Sequence, residues 1–315
     1  MNDLPELDPA GRPAHPRLVA GALAEVSAVG AYFEVSTDPS GPADPSEPAD
    51  PSEPADPSEP ADPSGPSDPA GLAGATGPSE PADPSEPAAA PRHGWRPLTA
   101  LFDGGDVLPA MVADVERRLE TTETRVAASI LFQGLAARLW SPVVGAVVAR
   151  DLLVDLAPAR VSWRSATTGP LQLWAPHPTG WEITDTSRVA EPLYRTVVSE
   201  LLEPLARAVR EITKIAPALL WGNAASALAG TLGAIVRARP ELAARAIPLG
   251  HRLLSHGVLR NSGDLAEPVA GHPFFVRHSC CLYYRLPGGG KCGDCVLLDP
   301  AARREQWARA VRRSG

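Results

Sequence analysis

No cysteine precedes Cys280 in this 315-residue chain, and the four that occur, Cys280, Cys281, Cys292 and Cys295, fall within sixteen residues. A secreted domain would spread its cysteines to staple distant segments, so the grouping argues against a disulfide framework. The opening residues, Met1-Asn-Asp-Leu-Pro-Glu-Leu-Asp-Pro, lack both the basic start and the apolar run of a signal peptide. A cytoplasmic location is expected. Charge is missing from residues 218–236, a stretch close to membrane-spanning length, but it holds Asn223, Ser226, Thr231 and three glycines. It is expected to be a buried core helix and not a transmembrane segment. No P-loop, Ser-His-Asp grouping or paired-carboxylate site stands out, and the glycines at 288–290 follow no strand-to-helix phosphate pattern. Without a clustered basic stripe, no nucleic-acid partner is expected.

Large apolar residues are missing from one long stretch. From Asp38 to Ala88 the chain cycles through Pro-Ala-Asp-Pro-Ser-Glu, with Leu72 its only large apolar side chain. Up to Pro91 the stretch holds 16 of the chain's 36 prolines. It cannot offset the entropy of ordering and lacks the amide donors of a helix or sheet, so a disordered, polyproline-like linker is expected. Its twelve acids meet no base before Arg92, so leaving them out turns the net charge of −8 into +4 for the remainder. A mildly basic body suits an anionic small substrate or an acidic protein partner. The expected organisation is an N-terminal helix belonging to the body (1–37), the acidic linker (38–92), a helical body (93–270) and a C-terminal segment (271–315).

The body reads as α+β, mainly helical with a small antiparallel sheet. Apolar spacing predicts helices over Arg17–Val35, from an Asp106 N-cap through Leu119, over Thr122–Trp140 with a stop at Pro142, and over Val143–Leu156. Ala159–Arg164 and Pro170–Ala175 alternate around Thr167-Thr168-Gly169 as a β-hairpin, and Trp181 and Ile183 suggest another strand. Helices return from Glu191, with Pro204 as a possible kink, from Pro217, and from Pro240 to a stop at Gly257.

The cysteine spacing is C-C-x10-C-x2-C, a metal-site pattern. Cys292 and Cys295 occupy a tight turn that Gly293 relaxes, and Pro287-Gly-Gly-Gly lets the chain double back toward Cys280 and Cys281. Neighbouring side chains diverge, so two adjacent ligands require an unusual backbone. From spacing alone an iron–sulfur cluster and structural zinc both stand, although most zinc ribbons use two Cys-x-x-Cys turns.

The wider segment resembles the C-terminal signature of the FhuF-like ferric-siderophore reductases. The likeness extends to Ser279, Leu282, Tyr283, Tyr284, Arg285, Pro287, Gly293, Asp294 and Val296. Residues 125–129, 133–142 and 219–228 also look like that family, whereas the proline-rich spacer does not. The resemblance implies a 2Fe-2S cluster held by Cys280, Cys281, Cys292 and Cys295. It implies one-electron reduction of a ferric siderophore, with a hydroxamate type expected, because ferrous iron is held far less tightly by the same oxygen ligands. A ferredoxin, flavodoxin or flavoenzyme would recharge the cluster. Arg277, Tyr283, Tyr284, Arg285 and Lys291 are candidates for substrate contact or cluster tuning, and Trp221, Gly222, Asn223 and Ser226 for a substrate cleft. The alternative is an iron- or redox-sensing protein whose zinc or iron–sulfur hairpin is structural.

Overall fold

Apolar residues at helical spacing, punctuated by prolines and glycines, set the order of elements. The structure, a computed structural model, describes residues 11–41, 94–166 and 169–314. The spacer from residue 42 onward and Thr167–Thr168 of the expected turn lie outside the described residues. The first half comprises β1 (Gly11–Pro13), α1 (Pro16–Ser27), β2 (Val35–Ser36), β3 (Arg96–Pro97), α2 (Val107–Arg118), α3 (Thr124–Arg150), β4 (Leu152–Asp155), β5 (Ser162–Arg164), β6 (Gln172–Trp174) and β7 (Thr179–Ile183). The second comprises α4 (Ala190–Tyr194), a π-helical stretch (Arg195–Leu202), α5 (Glu203–Ile212), α6 (Pro217–Ala238), α7 (Ala243–Leu254), β8 (Gly263–Val269), β9 (His272–Arg277) and α8 (Pro300–Ser314).

Helices α3 and α6 form the spine and pack along one another. Their alanines and glycines allow close approach, and polar atoms inside the interface are paired. Trp140 Nε1 donates to Ala224 O at 3.1 Å, and Ser141 Oγ lies 3.0 Å from Thr231 Oγ1. Both helices are long and apolar enough to cross a membrane, yet 72% and 83% of their apolar windows are buried within the fold. The expectation of a core helix at 218–236 agrees with this burial.

Pro142 does not end α3, contrary to the sequence expectation, and no second helix spans Val143–Leu156. An interior proline costs about 3 kcal/mol through a lost hydrogen bond and a ring clash. Here Leu139, Trp140, Val143 and Val144 are all buried around it, so tertiary packing overrides the local penalty. The helix instead ends at Asp151, in the left-handed conformation with φ 53°, and β4 follows. Helix α1 also stops early. The chain turns after Ser27, and the apolar Phe33 and Val35 reach the core from a turn and from β2. Pro204 falls in the first turn of α5, directly after the wide π-helical turns.

The expected hairpin is present as β5–β6, with Trp163 opposite Leu173, and the predicted strand at Trp181 is β7. There are three small sheets among the described residues: β1-β7-β4, β2-β6-β5-β3, and β8-β9. The β2–β6 pair is parallel and the other pairs are antiparallel. Buried Arg138 joins α3 to this region, donating to Leu171 O and Tyr32 O at 2.7 Å and to Glu34 O. Loss of hydration lowers its pKa to about 10, with Glu34 and Tyr32 opposing the shift. The β1-β7-β4 sheet packs through β4 on α3, with α1 against both. The β8–β9 hairpin packs on α6 and hands the chain to the cysteines.

Candidate metal centre

Strand β9 ends at Arg277, whose backbone N–H donates to Asp294 O at 3.1 Å, joining the two halves of the cysteine loop. Leu282, directly after the adjacent cysteines, takes a left-handed conformation (φ 68°) and starts a tight turn at Tyr283–Arg285. For a leucine this backbone costs on the order of 1–3 kcal/mol and persists only where its surroundings enforce it. It also aims the Leu282 N–H at Cys280 Sγ, 3.4 Å away. The left-handed backbone falls directly after the Cys-Cys pair, at Leu282, and not within it. Gly288 (φ 69°) and Gly290 (φ 70°) then reverse the chain, and Cys292–Cys295 closes as a turn with Cys295 N–H on Cys292 O at 3.2 Å.

The reversal brings Cys281 Sγ to 3.4 Å from Cys292 Sγ. Cys281 and Cys295 are buried, Cys280 and Cys292 half-buried, and no disulfide joins any of them. Hydrogen bonding from Cys292 draws Cys281 down to about 6 against the cost of burial, helped by a backbone N–H and by the charge of Arg277. The same pairing and burial push Cys292 up, and burial raises Cys280. A pair that yields a thiolate readily is the donor chemistry a thiophilic metal requires. A two-iron cluster takes its protein thiolates in twos, and one such pair is already in contact. Among the described residues no three His, Cys, Asp or Glu side chains converge, so one thiol pair and not all four cysteines is drawn together. These residues fit a 2Fe-2S group.

Beneath the loop lies a polar network that joins it to both spine helices. Arg277 is 1% exposed. Its Nη1 donates to Asn223 Oδ1 at 2.6 Å and its Nη2 to Gln133 Oε1 at 2.9 Å, while Nε is buried without a partner. Asn223 Nδ2 donates to Ser129 O and Oγ at 2.8 and 2.9 Å, and Ser129 Oγ donates to Cys281 O at 2.7 Å. Ser226 Oγ donates to the Asp294 carboxylate, whose pKa burial raises. Gly222 completes the contact: a Cβ there would lie 2.2 Å from Ser279 Oγ, which donates to Ala218 O at 2.9 Å.

The structure therefore sorts the candidates. Arg277, Asn223, Ser226 and Gly222 lie inside, bracing the loop, and are not on a surface where a substrate would meet them. Arg285 pairs with Glu123 at 2.8 Å, and Lys291 Nζ donates to Leu297 O at 2.8 Å. Tyr283 and Tyr284 are exposed. His278 sits between Asn261 O and Asp264, and His272 bonds Ala270 O, so both histidines have partners other than the thiols. Trp221, with Arg260, His278 and Ser279, lines a cavity of about 370 Å³ beside the start of the loop.

Sequence reasoning missed several supports. Ser129 and Gln133 sat inside motifs noted for likeness but were given no role. Helix α8 was also missed: Arg303 Nη2 donates to Cys295 O at 3.2 Å, and Trp307 stacks on Phe274 at 5.1 Å. The β-favouring run Phe274-Phe275-Val276 was the available signal for β9.

Comparison with known proteins agrees with this geometry. Residues 277–297 match the family described as the FhuF 2Fe-2S C-terminal domain. The chain is also 30% identical over 105 residues to the ferric siderophore reductase of Escherichia coli (strain K12), a match covering 32% of this chain and 39% of that protein. The loop that sets Cys281 against Cys292 above Arg277 matches the FhuF 2Fe-2S C-terminal domain, and over about a third of its length the chain is similar to a ferric siderophore reductase.

Proposed function

We propose that this chain is a cytoplasmic reductase that transfers one electron to a ferric siderophore of the hydroxamate type, releasing iron as Fe(II). The observation that carries the reading is the Cys281–Cys292 contact within a loop that matches a 2Fe-2S domain. Cys280, Cys281, Cys292 and Cys295 would hold the cluster, which when bound would supply a low-potential electron, on the order of −400 mV for plant-type centres. The buried Cys281 and Cys295 keep water from that side of the site. The half-buried Cys280 directly follows the His278–Ser279 wall of the cavity that Trp221 also lines, which supports that opening as the approach for a ferric chelate. Exposed Tyr283 and Tyr284 supply apolar contact area near the loop. The electron would be replaced by a ferredoxin, flavodoxin or flavoenzyme, for which a body of net charge +4 outside the acidic spacer is a suitable partner.

Anaerobically purified protein should be coloured and, once reduced by dithionite, show an electron paramagnetic resonance signal. Mixing it with a ferric hydroxamate siderophore should restore the oxidised absorbance and yield Fe(II) that a chelator traps. A colourless protein holding about one zinc per chain, the coordination expected of a structural four-cysteine site, would sink the reading. Normal cluster assembly without electron transfer to any siderophore would favour the sensing alternative.

The spacer is expected to be dispensable for this chemistry. Its edge is marked by Trp174 Nε1, which donates to Asp38 O at 2.8 Å, so residues 38–41 belong with the fold. Deleting residues 43–90 should leave iron content and siderophore turnover unchanged, and a collapse of either would assign that segment a part in the site.

A further inference from the structure

We infer that Arg277 is a positioning residue that holds a fixed positive charge under the cluster and raises its midpoint potential, with Gln133 and Asn223 fixing the guanidinium in place. An arginine side chain does not give up its proton inside a protein, so its burial at 1% exposure is the burial of a charge. Such a charge is normally matched by a carboxylate. Here both hydrogen-bond acceptors, Asn223 Oδ1 and Gln133 Oε1, are neutral amides. They fix the guanidinium plane without neutralising it. The acid that faces Arg277 is Asp294, which accepts a hydrogen bond from Ser226 and makes none to the guanidinium, so it is a distant counter-charge and not a paired one. Through Asn223 and Ser129 the guanidinium is linked by consecutive hydrogen bonds to the Cys281 carbonyl, which places it directly beneath the cysteine loop. Its buried Nε–H has no partner in the protein and remains free to donate.

A four-thiolate, two-iron cluster is anionic when oxidised and gains a further negative charge on reduction. A cation fixed nearby in a poorly screened interior stabilises the reduced form more than the oxidised one. Neutralising the cation must therefore lower the potential, and placing an acid against it must do the same. The inference rests on the cluster and not on the identity of the electron acceptor. The potential can shift as stated even if no siderophore is reduced, and siderophores can be reduced without such a shift.

The test is a redox titration of the full-length cluster-loaded protein at pH 8, followed by visible absorbance and electron paramagnetic resonance. Arg277→Gln and Gln133→Glu are each expected to shift the midpoint to more negative values. The shift should reach at least a tenfold change in the reduced-to-oxidised ratio at a given potential, equivalent to about 59 mV for one electron. Arg277→Lys, which keeps the charge but not the planar fork, should stay within that tenfold. Gln133→Glu leaves Arg277 in place, so it decides the matter if Arg277→Gln fails to load iron. Unchanged potentials in both neutralising variants would overturn the inference. A shift in Arg277→Lys as large as in Arg277→Gln would do so too, because packing rather than charge would then be responsible. Failure of both neutralising variants to bind iron would assign the network to assembly alone.

Discussion

Cys281→Ala is expected to abolish the 2Fe-2S centre, whereas Cys280→Ser should retain part of it. Cys281 is 4% exposed and its sulfur touches that of Cys292, so no water can replace the lost ligand and Cys292 loses its neighbour. Cys280 is half-buried, where a serine oxygen or water can complete coordination. Metal-binding free energy is also folding free energy, so Cys281→Ala should lose the cluster's contribution to thermal stability along with its colour. Iron per chain, visible absorbance and melting temperature after anaerobic reconstitution give the answer. A Cys281→Ala protein that loads iron like the parent would remove Cys281 from the ligand set.

The second large effect is structural. Asn223→Leu should destabilise even the iron-free protein by about 3 kcal/mol, because it strips a buried charge of one of two acceptors. Asn223 is fully buried and is the hub between Arg277 on one side and Ser129 on the other. Leucine fits the volume but leaves Arg277 Nη1 unsatisfied next to an Nε already without a partner. For a body of this size each kcal/mol moves the melting temperature by roughly 2–4 °C, so a drop of about 6–12 °C is expected. Chemical denaturation of the apo protein measures it free of any cluster effect. A change below about 0.5 kcal/mol, the range of ordinary surface substitutions, would show that water or rearrangement satisfies the guanidinium.

Much of this was legible from residues because the signals were local. Helix α6, the β5–β6 hairpin and the strand at Trp181 follow from period and punctuation. So does the cysteine reversal, since glycines at 288 and 290 adopt the positive φ that a glycine run invites. What escaped depends on partners far along the chain. Pro142 is an ordinary stop signal until the packing on both its sides is known. Arg277 reads as a surface cation because nothing within its own strand reveals that Asn223 and Gln133 wait for it. Gly222 is unremarkable in an alanine-rich helix until Ser279 is placed against it. Trp221-Gly-Asn was noted as a motif, but its division of labour follows only from three dimensions: one side chain on the cavity, one missing for close approach, one on the guanidinium.

The bond from Ser129 to Cys281 O spans 152 positions and that from Arg277 to Gln133 spans 144. Contacts of such separation form late, because the intervening loop must be closed before they return any energy. The thiols consequently gather only on a body whose two long helices have already met. A chain in which α3 and α6 were misassembled would lack the supports beneath Cys281, so the iron content of a variant would report on the packing of those helices as well as on its cysteines.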